Sequence, residues 1–199
     1  MAKVATTKES TKALLLEAGT AIMLEKGYNH TGIQEVLQKT DVPKGSFYYY
    51  FDSKEDFGLQ IINSFADCFD RKLHDYLQDK TLTPRQRLRK YCQDGIDAFE
   101  SQKCRKGCLI GNLSQEMADQ SDVFRLRLEE VFTCWRQQFA DCIKQAQQAG
   151  EIPKQLDAND AAEFFLSGWE GAMMRAKVTK TVAPMKSFMK IVFDNLFTK

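Results

Sequence analysis

Apolar residues recur three and four apart through nearly every segment of this 199-residue chain, a periodicity that admits little besides helices. No alternating strand pattern or Asn-Gly hairpin interrupts it. The expected fold class is therefore all-α, with about nine helices. The first spans about residues 8–26, with Leu14, Ala18, Ala21 and Ile22 inward, and closes at Gly27. Thr31 reads as the N-cap of a short second helix carrying Ile33, Val36 and Leu37. Asp41-Val42-Pro43 is a turn, and residues 44–50 form a third, very short helix. Ser53, with Asp56 three residues on, caps a long fourth helix whose apolar stripe runs Phe57, Ile61, Phe65, Phe69, Leu73, Leu77. Thr83-Pro84-Arg85-Gln86 opens the fifth, and Gly107 precedes a shorter sixth. A seventh lies between residues 121 and 150, and two more cover about 157–177 and 184–197. The expected division is a three-helix unit over 1–53 and a larger helical bundle over 54–199.

Charge narrows the function classes less than the helices do. The 28 Lys and Arg nearly cancel the 27 Asp and Glu, so any nucleic-acid contact must be a local surface rather than a chain-wide cationic field. No apolar run approaches the roughly 20 residues of a membrane span, and MAKVATTKESTK lacks the apolar core of a secretory signal. A cytoplasmic protein is expected. Six cysteines without a CxxC pair and only two histidines, His30 and His74, support neither a disulfide framework nor a zinc site, so no metal or cofactor is expected. HExxH, P-loop, GxSxG and GxGxxG patterns are missing, and Glu116 and Glu170 read as isolated, solvated or capping carboxylates. An enzyme is not expected.

The most informative stretch is Thr31–Lys54, TGIQEVLQKTDVPKGSFYYYFDSK. Two short helices joined by a tight turn make a helix-turn-helix, whose second member enters the DNA major groove. Lys44 supplies a cation, Gly45 lets backbone approach, and Ser46 offers a small donor and acceptor. Tyr48 and Tyr49 can extend phenols to phosphates or base edges. Thr31 and Lys54 begin flanking helices whose N-terminal amides suit phosphate. Phe47 and Phe51, four apart, belong to the core, but three consecutive tyrosines cannot all turn inward. Over residues 1–54 seven lysines face six acids, which implies few phosphate contacts per subunit and a need for two subunits.

Over about residues 8–58 the chain resembles the TetR family of transcriptional repressors. The motif is Gly27-Tyr28, Thr31, then V-P-K-G-S-F-Y-Y-Y-F-x-S-K-E from Val42 to Glu55. The resemblance implies a homodimer that binds a palindromic double-stranded operator and senses an effector with its C-terminal half. Lys44, Ser46, Tyr48, Tyr49 and Lys54 match positions that commonly meet DNA, with Tyr49 in place of a frequent histidine.

The C-terminal half is read on its own residues. Phe165, Gly168, Trp169, Ala172, Phe188 and Val192 are expected to build a two-fold, four-helix dimer contact. Cys108 falls at a helix start behind Lys103, Arg105 and Lys106, an arrangement expected to favour its thiolate. Cys92, Cys134 and Cys142 sit on apolar faces and read as packing residues. Lys177 continues the Trp169–Met173 stripe and is either a partner for Cys108 or an amine snorkelling at a helix end. G-C-L-I-G-N-L-S with the later A-K-V resembles the N-ethylmaleimide reductase repressor branch of the family, which implies sensing of electrophiles or oxidants at Cys108, with Cys104 as a resolving thiol. The alternative is a reversible apolar ligand among Phe99, Phe124, Trp135, Phe139, Phe165 and Trp169.

Overall fold

The computed structural model describes residues 8–198, so most of the N-terminal stretch read above for a secretory signal, residues 1–7, lies outside it, as does residue 199. All of its regular structure is helical: α1 Lys8–Lys26, α2 Ile33–Thr40, α3 Lys44–Tyr50, α4 Lys54–Leu77, α5 Pro84–Ser101, α6 Leu109–Met117, α7 Asp122–Gln148, α8 Ala158–Thr179 and α9 Ala183–Ile191. Local chemistry accounts for most boundaries. Gly27, at φ +80°, ends α1. Thr83 and Gln86 form a reciprocal capping box at α5, with Pro84 at the first helical position. The Asp157 side chain accepts the backbone N–H groups of Asn159 and Asp160 and so starts α8. Among the described residues no helix is long and apolar enough to cross a membrane.

Two compact units emerge, but they do not divide at residue 53. One comprises residues up to 67 together with 109–128, and the other 68–108 with 129–199, so the boundary falls inside α4 and inside α7. In the first unit α1 packs on α2 and α6. Its core includes Leu15, Ile22, Val36, Phe47, Phe51 and Phe57. Leu14, expected inside, is exposed because the buried stripe runs through its neighbour Leu15. The rings of Phe47, Phe51 and Phe57 lie 4.7–5.1 Å apart and tie α3 to α4. Gly19 faces them: a Cβ there would come within 2.4 Å of Phe57 Cζ and 2.6 Å of Ile61 Cδ1. The Glu116 carboxylate accepts the N–H groups of Tyr28 and Asn29, both at 2.8 Å, and pins the connection between α1 and α2.

The second unit packs α9 against α8 and α5. Trp135, Phe139, Phe165, Phe193 and Phe197 are fully buried there. The expected final helix does not continue regularly: α9 stops at Ile191 and a π-type turn follows over Val192–Leu196. That turn places both Phe193 and Phe197 inside, while the Arg85 guanidinium donates to the carbonyls of both residues. Arg87 is a second staple. Its buried guanidinium donates to the carbonyls of Leu77, Asp79 and Leu82 and to Gln145 Oε1, at 2.7–3.1 Å. Arg87→Ala strands these acceptors, and urea unfolding is expected to show a loss of about 2–4 kcal/mol. A loss below about 0.5 kcal/mol would mean the guanidinium is dispensable.

Candidate nucleic-acid interface and sensor centre

The turn into α3 is set by Asp41, at φ +53°, whose N–H returns to Leu37 O, and by Pro43, whose extended backbone precedes Lys44. Asp41 takes a conformation usually left to Gly or Asn, which short polar side chains tolerate. Phe47 anchors α3 into the core, and the opposite side of the helix faces solvent. Lys44 and Gly45 are exposed and Ser46 is half-buried. Tyr48 and Tyr49 are 54% and 63% exposed, unusually high for rings of this size. Nothing lies within 4 Å of a Cβ built on Gly45, so another backbone can approach there. Lys44 and Tyr48 also border a groove of about 480 Å³ between α2 and α3.

Two residues expected on this surface are otherwise engaged. Thr31 is buried, and its hydroxyl donates to Gly27 O at 2.6 Å. Gly32, not Thr31, is the N-cap of α2. The Thr31 hydroxyl therefore closes the loop after α1. Lys54 Nζ donates to Asn29 O at 3.2 Å and lies 4.7 Å from the Tyr28 ring centre. Burial lowers its pKa, with Glu116 pulling the other way. Both interactions brace the loop between α1 and α2.

A different chemistry gathers in the second unit. Cys108 immediately precedes α6 and is partly accessible. The loop leading to it carries positive φ at Lys103, Cys104, Lys106 and Gly107. Three of these four residues have side chains, each costing about 1–2 kcal/mol in that region. The partner of the Cys108 thiol is Glu170 on α8, joined to it by a side-chain hydrogen bond. Burial pushes the Glu170 carboxyl up to about 7, and the bond to Cys108 holds it back. Beside the pair, the Trp169 indole donates to Tyr91, whose phenol burial drives well above its ordinary range.

Glu170 also lines a cavity of about 420 Å³ between α7 and α8, bordered by Glu129, Phe132, Arg136, Glu163 and Leu166. Arg136 Nε and Glu163 Oε2 are 3.6 Å apart there. The reading of Glu170 as a solvated or capping carboxylate is thus overturned. Its helical position between Leu166 and Met173 was the available signal. Lys177 lies two turns further along α8, about 10 Å up the axis. Glu170 thus sets an acid beside Cys108 that the sequence reading had not paired with it. Cys104 is buried. Cys134 is exposed and 3.6 Å from an Asp70 oxygen, not the packing residue expected. Cys92 and Cys142 are buried thiols, the latter pushed up to about 12 by burial.

Residues 15–61 match the family model for bacterial regulatory proteins of the tetR type, and residues 84–192 match that for a tetracyclin repressor-like C-terminal domain. The chain belongs to the TetR family. Two TetR-family relatives are the transcriptional repressor DhaR of Mycobacterium sp. (strain GP1), 37% identical over 92% of this chain and 90% of that protein, and the transcriptional regulator AcuR of Cereibacter sphaeroides, 40% identical over 93% and 84%. The crystal structure of Escherichia coli NemR in its reduced form superposes with a TM-score of 0.86 at 26% identity, covering 94% of this chain and 98% of that one. Identity to DhaR and AcuR thus exceeds identity to NemR.

Within this TetR-family chain the residues expected to build a dimer contact lie mostly in the chain's own interior. Phe165, Trp169, Ala172 and Val192 are buried in the subunit's own core. Gly168 accommodates the Phe188 ring of the same chain, whose Cε2 would lie 2.5 Å from a Cβ there. The outward apolar residues of α8 are Phe164, Met174 and Val178, which fall within about a quarter turn of one another. Open space at Gly171 lies among them, and Ile191 is exposed at the end of α9. Periodicity had located the stripe that packs inward. The six aromatics expected to line a ligand pocket are likewise core: all are buried, and Phe124 belongs to the first unit, packed on Tyr28 with ring centres 4.8 Å apart.

Proposed function

We propose that this TetR-family chain is a transcriptional repressor that grips a palindromic operator as a homodimer and releases it when an electrophile or oxidant modifies Cys108. The observation that carries the DNA reading is the solvent-facing side of α3, where Lys44, Tyr48 and Tyr49 stand exposed beside an uncovered Gly45. Cations and phenols on a short helix behind a tight turn suit phosphates and base edges. The Phe164, Met174 and Val178 stripe supplies a self-complementary apolar face for a two-fold contact.

Release through Cys108 is supported by its setting. The thiol is partly accessible, bonds a buried carboxyl, and ends a loop held in left-handed conformations. Adding a group to sulfur breaks the Cys108–Glu170 bond and removes a constraint on that loop. A shift of a few kcal/mol between two packings is enough to move the heads off successive major grooves. The relative solved in a form described as reduced fits such chemistry.

A gel shift with DNA upstream of the gene, with and without N-ethylmaleimide, tests the proposal alongside peptide mapping of the adduct. The wild-type protein is expected to bind and then let go as Cys108 is capped, whereas Cys108→Ser binds and stays. Equal release of Cys108→Ser would remove this thiol from the mechanism. Release without any adduct would favour a reversible ligand, for which the cavity between α7 and α8 offers room.

A further inference from the structure

The connection from α1 to α2 is built as an anion-binding turn. Gly27 ends α1 in a left-handed conformation, and the next two backbone N–H groups, those of Tyr28 and Asn29, share a single acceptor side chain. Successive N–H groups beside a left-handed residue form a concavity that suits negative charge. The charge here is the half-buried Glu116 carboxylate of α6, whose Oε2 accepts from Tyr28 and whose Oε1 accepts from Asn29, each at 2.8 Å. The fit requires glycine: a Cβ on Gly27 would lie 2.9 Å from Glu116 Cδ and overlap Oε2.

Further bonds close around this carboxylate. Asn29 Nδ2 donates to Gln120 Oε1 at 3.2 Å, and Gln120 Nε2 donates to Glu116 O at 2.7 Å. Lys54 Nζ, at the start of α4, donates to Asn29 O. The loop leads directly into α2 at Ile33, and α2 packs on α3. Where residues 27–29 are held therefore sets where the helix-turn-helix begins. We infer that Glu116 is the positioning residue of the reading head: α6 holds the helix-turn-helix in its DNA-binding pose through this carboxylate, and release draws the carboxylate away. This deepens the repressor role proposed above and rests on it.

The build of α6 suits the task. Leu109, Ile110, Leu113 and Met117 are buried along its nine residues, so the helix is seated as one piece. Cys108 immediately precedes its first turn and Glu116 lies in its last, about 12 Å along the axis. Hydrogen bonds of this kind fade beyond about 3.5 Å, so a slide of about 1 Å opens both bonds to the loop. The competing route runs along α4, continuous from Lys54 to Leu77, and would leave the Glu116 bonds closed.

Amide hydrogen exchange of the full-length protein, read by mass spectrometry on peptides spanning residues 26–32, reports the clamp directly. Exchange there should be at least about tenfold faster in Glu116→Ala than in the wild type, with peptides from α5 and α8 unchanged. Glu116→Gln keeps the side-chain length but offers one acceptor oxygen in place of two. Both variants should bind operator DNA at least about tenfold more weakly, with non-operator binding and thermal melting unchanged. A glutamate that served stability alone would lower melting and both DNA affinities together, which would overturn the positioning role. Wild-type protein capped with N-ethylmaleimide should exchange over residues 26–32 as Glu116→Ala does, and Cys108→Ser treated in the same way should not. Glu116→Gln that grips the operator as tightly as wild type would overturn the inference. Capped protein that has released DNA while residues 26–32 stay protected would overturn it too, and would assign the route to α4. Failure of the sensing role itself looks different: capped Cys108 leaves the operator bound, while both Glu116 variants still bind it weakly and the positioning role stands.

Discussion

Tyr49→Ala is expected to weaken operator binding by about 30- to 150-fold with no loss of thermal stability. The ring is 63% exposed, so its removal opens no cavity. A phenol meeting a phosphate or base edge contributes about 1–1.5 kcal/mol, and the proposed homodimer presents the substitution twice. Lys44→Ala should weaken binding comparably. It should also flatten the dependence of log K on log salt by about two for the dimer, one phosphate contact per head. Lys54→Ala should behave otherwise, since Lys54 Nζ is held by Asn29 O and the Tyr28 ring. Fluorescence anisotropy across a salt series separates the three. Tyr49→Ala binding as tightly as wild type would show that α3 does not read DNA through this ring.

The second large effect is on stability. A glutamate whose carboxyl ionises at about 7 in the folded protein but near 4.5 when unfolded binds an extra proton in the native state between those values. Its contribution is therefore fully present below about pH 4.5 and is lost as pH rises to about 7. That difference corresponds to about 3 kcal/mol. Glu170→Gln keeps the shape and cannot ionise. Relative to wild type, the variant is expected to gain about 2–3 kcal/mol between pH 5 and pH 8, whatever constant offset the amide introduces. Urea denaturation at the two pH values measures this directly. A gap between variant and wild type that does not change with pH would mean that Glu170 ionises normally in the folded chain.

The helices were readable because their signals are local. The Thr83–Gln86 capping box, the Gly27 stop and the Pro43 entry to α3 each act within a few residues of where they stand in the chain. The reading surface was legible in the same way: with Phe47 and Phe51 claimed by the core, Tyr48 and Tyr49 had to turn outward. What periodicity could not supply was the identity of the partner. It located the stripe of α8 that includes Phe165 and Trp169 without showing that this stripe packs within the subunit, which leaves Phe164, Met174 and Val178 outside. Thr31 and Lys54 look like phosphate contacts in sequence, but their acceptors, Gly27 O and Asn29 O, are carbonyls of a loop whose path only the fold reveals. Glu170 was misjudged for the same reason. Its environment is built by Tyr91 and Cys108, which are remote in the chain.

Gly19 determines how near α1 comes to the start of α4, because the Phe57 ring and the Ile61 methyl occupy the volume a side chain would need. Of the two, Phe57 packs against the Phe47 ring, with centres 5.1 Å apart, and so helps to seat α3. Even a methyl group there would act as a shim, tilting the recognition element by displacing the ring beneath it. The seat of α3 is thus sensitive to the bare backbone of a residue on a different helix.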